Sequence, residues 1–160
     1  MMNLKHTKQA TIVRSSWLMG ASGNNIIYKI LSLLKKNDPL KIIFDQVGSP
    51  TSTTSLAKAC WEIIKQKENG LNIPLMMHWC DKGTASWYDI AMEIAEFALE
   101  KKLIDYFPEI LPIKSSESKT LAKTPAYSAL DSSESYEILK LEPLNWKASL
   151  KKEIDQIRNK

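Results

Sequence analysis

The sequence predicts an α/β domain with at least some parallel strand pairing. Short apolar runs rich in branched residues, at 10–13, 40–44 and 75–80, suit strands. Stretches of helical periodicity separate these runs, and a third such stretch follows the last one. Strand–helix alternation of this kind argues for crossover connections and parallel pairing. The 160 residues suffice for one domain with a real core. They divide into a polar tail, 1–9, and a folded unit, 10–160.

Each element has a local reason. After the first strand, a loop with Gly20 and Gly23 leads to Asn24 or Asn25, either of which can cap a helix running to about Lys36. Ile27, Ile30, Leu31 and Leu34 fall on one face of it, widened by Ile26 and Leu33. The Asn37-Asp38-Pro39 turn ends it. The second helix, over 54–67, is expected to bury Leu56, Cys60, Ile63 and Ile64, and it stops at Gly70. The 75–80 run is apolar nearly throughout, as in a strand covered on both faces. Ser86 with Asp89 three residues on resembles a capping box opening a third helix, whose stripe is Trp87, Ile90, Ala91, Ile94 and Phe97. Further on, 110–113 reads as a short strand and 125–130 as an extended segment. Asp131 or Ser132 caps a short helix broken by Pro143. A last helix carries Trp146, Leu150, Ile154 and Ile157 on one face.

The stretch from Phe44 to Leu56 organises the rest. It leaves a buried strand, turns sharply at Gly48 and Pro50, and opens a helix through several Ser and Thr residues. A rigid, hydroxyl-rich corner at a strand end is where α/β proteins place ligand contacts. It is equally a well-capped turn with no ligand.

Composition narrows the function classes. Apolar residues make up 44% and charged residues 25%, ordinary for a globular protein. The net charge of +4 comes from scattered lysine pairs among nearby acids, with no basic stripe, so no nucleic-acid surface is expected. Arg14 interrupts the only apolar run near the start, which argues against a signal peptide, and no run is long enough to span a membrane. Cys60 and Cys80 lack metal-ligand spacing and read as buried thiols of a cytoplasmic protein. His6 and His78 stand apart from any cluster, so no metal site is expected.

Four ordered stretches are more specific than a fold pattern. They are Arg14-Ser15-Ser16-Trp17 followed by Gly23-Asn24-Asn25; Asp45-Gln46-Val47-Gly48-Ser49-Pro50-Thr51; Thr84-Ala85-Ser86-Trp87-Tyr88-Asp89; and Pro125-Ala126-Tyr127-Ser128-Ala129-Leu130-Asp131. Together they resemble the C-terminal, substrate-binding half of dTDP-4-dehydrorhamnose reductases, which are extended short-chain dehydrogenase/reductases. The resemblance runs from Ala10 to about Leu150. It implies partial Rossmann-like parallel sheet elements joined to a substrate-binding portion. The implied family reaction is NADPH-dependent reduction of dTDP-6-deoxy-L-lyxo-4-hexulose to dTDP-L-rhamnose. The implied nucleotide-sugar contacts are Trp17, Asn25, Gln46, Gly48, Pro50, Thr51, Lys123 and Pro125. Trp17 falls where the family packs an indole on the sugar, and the Pro125 segment falls near the diphosphate.

The chain also departs from the family. Thr124 stands where arginine is usual before the proline, and Met19 where an aromatic is usual. An arginine fork grips diphosphate in a way threonine cannot. No glycine-rich cofactor turn is present: Gly20 and Gly23 come nearest, but Ile26 occupies the third place. The family's Tyr-x-x-x-Lys pair should precede Arg14, where there is no tyrosine. Tyr136 and Lys140 have that spacing in the wrong place, and chance accounts for it. The expectation is therefore a truncated or split reductase half, inactive alone and binding no NADPH by itself, with NADPH relevant through the family only. Its partners would be a separate cofactor-binding half or further copies of itself. The alternatives are a non-catalytic interaction or regulatory module of the same family, or a gene remnant. The 10–13 and 75–80 strands would then lack sheet neighbours and leave an edge prone to association.

Overall fold

The computed structural model describes residues 10–36, 38–118 and 124–158. Nine short strands and five helices alternate within them: β1 (Ile12–Arg14), β2 (Leu18–Met19), α1 (Ile26–Leu34), β3 (Leu40–Ile43), β4 (Val47–Gly48), β5 (Thr51–Ser52), α2 (Thr53–Glu68), β6 (Met76–His78), β7 (Ala85–Ser86), α3 (Trp87–Glu100), β8 (Ile110–Ile113), β9 (Tyr127–Ser128), α4 (Ser133–Leu139) and α5 (Trp146–Arg158). This is the expected α/β class. The strands form four small sheets: parallel pairs β1–β6, β2–β5 and β3–β8, and a three-stranded sheet β7–β4–β9. In the last, β4 runs antiparallel to β7 and parallel to β9.

Two apolar cores hold these elements. The larger gathers Ile27, Ile30, Leu31 and Leu34 of α1, Ile90, Ala91 and Ile94 of α3, and Trp146, Leu150 and Ile154 of α5. These are the faces the periodicity marked, because each helix had one continuous apolar stripe to bury. The smaller places Ala59 and Ile63 of α2 against Met77, Trp79 and Leu139. Local caps set the helix starts. Asn25 accepts from Ile27 N–H, and Ser52 accepts from Ser55 N–H at 2.9 Å. Ser86 and Asp89 form a reciprocal capping box, with Asp89 N–H donating to Ser86 Oγ at 3.0 Å and Ser86 N–H to Asp89 Oδ2 at 2.8 Å.

Three expectations are corrected. The buried face of α2 is Ala59, Ile63 and Gln66, while Cys60 and Ile64 are exposed. The helix turns its small alanine inward, since the second core approaches it closely. Only Cys80 is a buried thiol. The 75–80 run is covered on one side only: Met77 and Trp79 are buried, but Leu75 and Met76 are 56% and 45% exposed. Among the described residues β6 pairs with β1 alone, and no side chain there covers its outer face at Leu75 and Met76. Among the described residues, no helix is long and apolar enough to cross a membrane.

The capping box lets α3 begin at a fixed point, which matters because β7 ends there. Ser86→Ala should lower stability by about 1 kcal/mol in urea denaturation, the usual cost of losing a hydroxyl cap.

Candidate functional site

The corner after β3 is bound from several directions. Asp45 accepts from the backbone and hydroxyl of Ser115, at 2.8 and 3.0 Å. Val47 N–H donates to Ala126 at 2.8 Å, and Ser49 Oγ accepts from Leu130 N–H at 3.1 Å. Thr51 N–H donates to the Trp17 carbonyl at 3.2 Å. Gln46, Gly48, Ser49, Pro50, Thr51 and Ser52 are all buried. With its polar groups turned onto other segments, this corner is rigid by construction.

Trp17 closes it. Its backbone has φ 43°, in the left-handed region. Its indole stacks on Trp87 with centroids 3.8 Å apart and planes 10° from parallel. The structure thus brings together Trp17, Gly48, Pro50 and Thr51, with Gln46 leading in and Pro125 joined through the β4–β9 pairing. Asn25 is set apart as a loop clasp. Its Nδ2 donates to the carbonyls of Gly20, Ser22 and Gly23 while Oδ1 caps α1. Pro125 is exposed, and Lys123 lies outside the described residues. Beside the corner opens a cavity of about 430 Å³, walled by Ser49, Asp81, Tyr127, Leu130, Ser132 and Tyr136.

Two buried carboxylates underlie the site, and no motif announced either. Asp81 Oδ2 accepts from Ser52 N–H at 2.8 Å. Glu153 accepts from Ala21 N–H at 2.8 Å and, more loosely, from Thr54 N–H at 3.4 Å. Burial holds the Asp81 pKa above its ordinary value against the hydrogen bonds of Ser55, Ser52 and Ser149, and the Glu153 charge adds to the rise. Trp87 too was legible only as part of a buried helical stripe.

The described residues do not fit a dinucleotide. A pyrophosphate needs free backbone N–H groups at a helix N-terminus, approached closely by glycine. Here α1 is capped by Asn25, α3 by its capping box, Asp131 accepts from Ser133 N–H at the start of the seven-residue α4, and Asn145 accepts from Lys147 N–H at the start of α5. The α2 start carries two carboxylates, which would repel phosphate. Tyr136 offers no proton chemistry. It donates to the Cys80 carbonyl at 2.6 Å, and burial pushes its pKa up to about 12, the wrong direction for a proton donor at neutral pH. Lys140, four residues on, sits exposed in a left-handed cap. Among the described residues, no three His, Cys, Asp or Glu side chains gather as a metal site.

Comparison with known proteins shows the family and the fold. The family model described as the RmlD substrate binding domain matches residues 2–159. A dTDP-4-dehydrorhamnose reductase of Aggregatibacter actinomycetemcomitans is 31% identical over 144 residues, covering 89% of this chain and 49% of that protein. The crystal structure of a dTDP-4-dehydrorhamnose reductase from Clostridium acetobutylicum matches with a TM-score of 0.78 and 35% identity, covering 92% of this chain and 49% of that one. Another from Bacillus anthracis, solved in complex with NADP, matches with a TM-score of 0.75 and 26% identity, covering 91% of this chain and 48% of that one. The chain spans about half the length of the curated relatives it matches.

The raised Asp81 pKa has a definite sign. In the window between the ordinary carboxylate value and the raised one, the native state binds more protons than the unfolded state. Stability therefore rises as pH falls through the raised pKa and levels off near the ordinary value. In urea denaturation across mildly acidic pH, the wild type should gain on Asp81→Asn as pH falls. A difference that stays constant with pH would refute the assignment.

Proposed function

The chain belongs to the RmlD substrate-binding-domain family, and from that premise we propose that it forms the nucleotide-sugar side of a dTDP-4-dehydrorhamnose reductase-like active site. The observation that carries the reading is the closed corner itself, in which Trp17, Gly48, Pro50 and Thr51 meet as one rigid unit. In this reading Trp17 meets the sugar, and the buried Gln46, Gly48, Pro50 and Thr51 form the rigid floor that holds it there. Asn25 holds the loop behind them. Pro125 lies toward the diphosphate in this reading, on the side of the Tyr127 cavity, and Lys123, outside the described residues, is assigned to the same group.

The reaction would be reduction of the 4-keto group of dTDP-6-deoxy-L-lyxo-4-hexulose, with NADPH supplying the hydride. The described residues bind and orient the sugar; cofactor and proton donor belong to a cofactor-binding half, in the same polypeptide or another. These 160 residues alone should therefore hold no NADPH and turn over nothing. The parallel pair β1–β6, with no further strand beside it among the described residues, supports that division, because parallel strands are normally flanked and covered. Exposed Leu75 and Met76 lie where such a half would pack. The same surface favours a second reading, a non-catalytic module that binds a protein partner there or self-associates.

Calorimetric titration with dTDP and dTDP-rhamnose separates the two. The substrate-side reading expects saturable binding and a rise in melting temperature with ligand. A folded chain that binds neither would favour the interaction module. Restoring the family's arginine should sharpen the result: Thr124→Arg should tighten dTDP binding by about tenfold, through a bidentate phosphate contact.

A further inference from the structure

Trp17 holds a bulky side chain on a backbone at φ 43°, a region such residues rarely occupy, so its surroundings must hold it there. On one face of the indole lies Trp87, at 3.8 Å and near-parallel. Gly48 lies against the other face. A Cβ placed on Gly48 would stand 2.5, 2.7 and 2.9 Å from Cε2, Cζ2 and Cδ2 of Trp17. Close approach to three adjoining ring atoms is contact with a face rather than an edge. No Trp87 atom is as near that position, so the two neighbours are on opposite sides.

The sheet explains this sandwich. Antiparallel pairing sets Gly48 opposite Ala85 and Val47 opposite Ser86. Trp87 follows Ser86 directly, as the first residue of α3, and is thereby delivered to the indole. The glycine is required because any side chain would collide with the ring.

With Trp87 on one face and Gly48 against the other, neither face of this half-buried indole is open across its whole width for a pyranose to stack on. Its edge remains, and there Nε1–H has no acceptor among the described residues. By contrast, the Trp79 Nε1–H is bonded to Ser55 Oγ at 3.0 Å. Indole nitrogen can only donate, so a ligand that displaces water from it must bring an acceptor.

We propose that Trp87 is a positioning residue, which with Gly48 clamps Trp17 so that the indole offers its Nε1–H, rather than a ring face, to an oxygen of the bound sugar. This rests on the nucleotide-sugar reading above and specifies how the sugar is recognised, by a directed donor instead of by stacking.

The test compares wild type, Trp17→Phe, Trp87→Ala and Trp87→Phe. The far-ultraviolet exciton couplet of the stacked indoles reports the clamp, and calorimetry with dTDP-rhamnose reports binding. Wild type should show the couplet, and all three variants should lose it. Trp17→Phe, which keeps a ring but removes the donor, and Trp87→Ala, which frees the indole, should each weaken binding roughly five- to tenfold. Trp87→Phe should restore most of the affinity, because a phenyl ring still stacks. Wild-type affinity in Trp17→Phe or in folded Trp87→Ala would overturn the inference and leave the nucleotide-sugar reading standing. Absence of wild-type binding would overturn both. Should Trp87→Ala fail to fold, the contrast between Trp17→Phe and Trp87→Phe decides alone.

Discussion

Two carboxylates with almost no solvent exposure hold the N-terminal end of α2 in place. Asp81, after β6, takes the N–H of Ser52, and Glu153, on α5, takes those of Thr54 and Ala21. Four distant segments meet there: the loop after β2, the β5–α2 junction, the loop after β6, and α5. Buried charges are costly unless hydrogen-bonded, and helix N–H groups are suitable partners because the helix dipole favours negative charge there. The two acids also repel, which is part of why Asp81 resists ionisation. Removing either would leave orphaned N–H groups at the base of the corner.

From that base the corner is built upward. β5 pairs with β2, which places Trp17 over it, and β4 pairs with both β7 and β9. Two-residue strands carry little stability singly. They act here as registers, each bringing one side chain to one place. Gly48 under the indole and Trp87 over it are the outcome of the β4–β7 register.

The same use of helix ends separates the two roles of such a site. A dinucleotide is normally gripped by unfilled N–H groups at a helix start. Here those groups are taken by Asn25, Asp81, Glu153, Ser86 and Asp89. The chain has used them for its own rigidity, and rigidity is what the proposed sugar-orienting role needs.

Much of this was legible in the sequence. The stripes of α1, α3 and α5, the Asn25 cap and the Ser86–Asp89 capping box follow from periodicity and local hydrogen bonding, which act within a few residues. The corner at Gly48 and Pro50 was legible because glycine and proline restrict the backbone wherever they stand. What only the tertiary structure decided lies between residues far apart in the chain. It exposed Cys60 and Ile64 and buried Ala59, because the second core sets which face of α2 turns inward. It made Asn25 a clasp and paired Trp17 with Trp87 across seventy positions. It also turned Asp81 and Glu153, ordinary acids in the sequence, into the buried anchors of the site. Local sequence determines where a helix begins and which stripe it must hide; which partners meet across that stripe is determined by the packing of the whole chain.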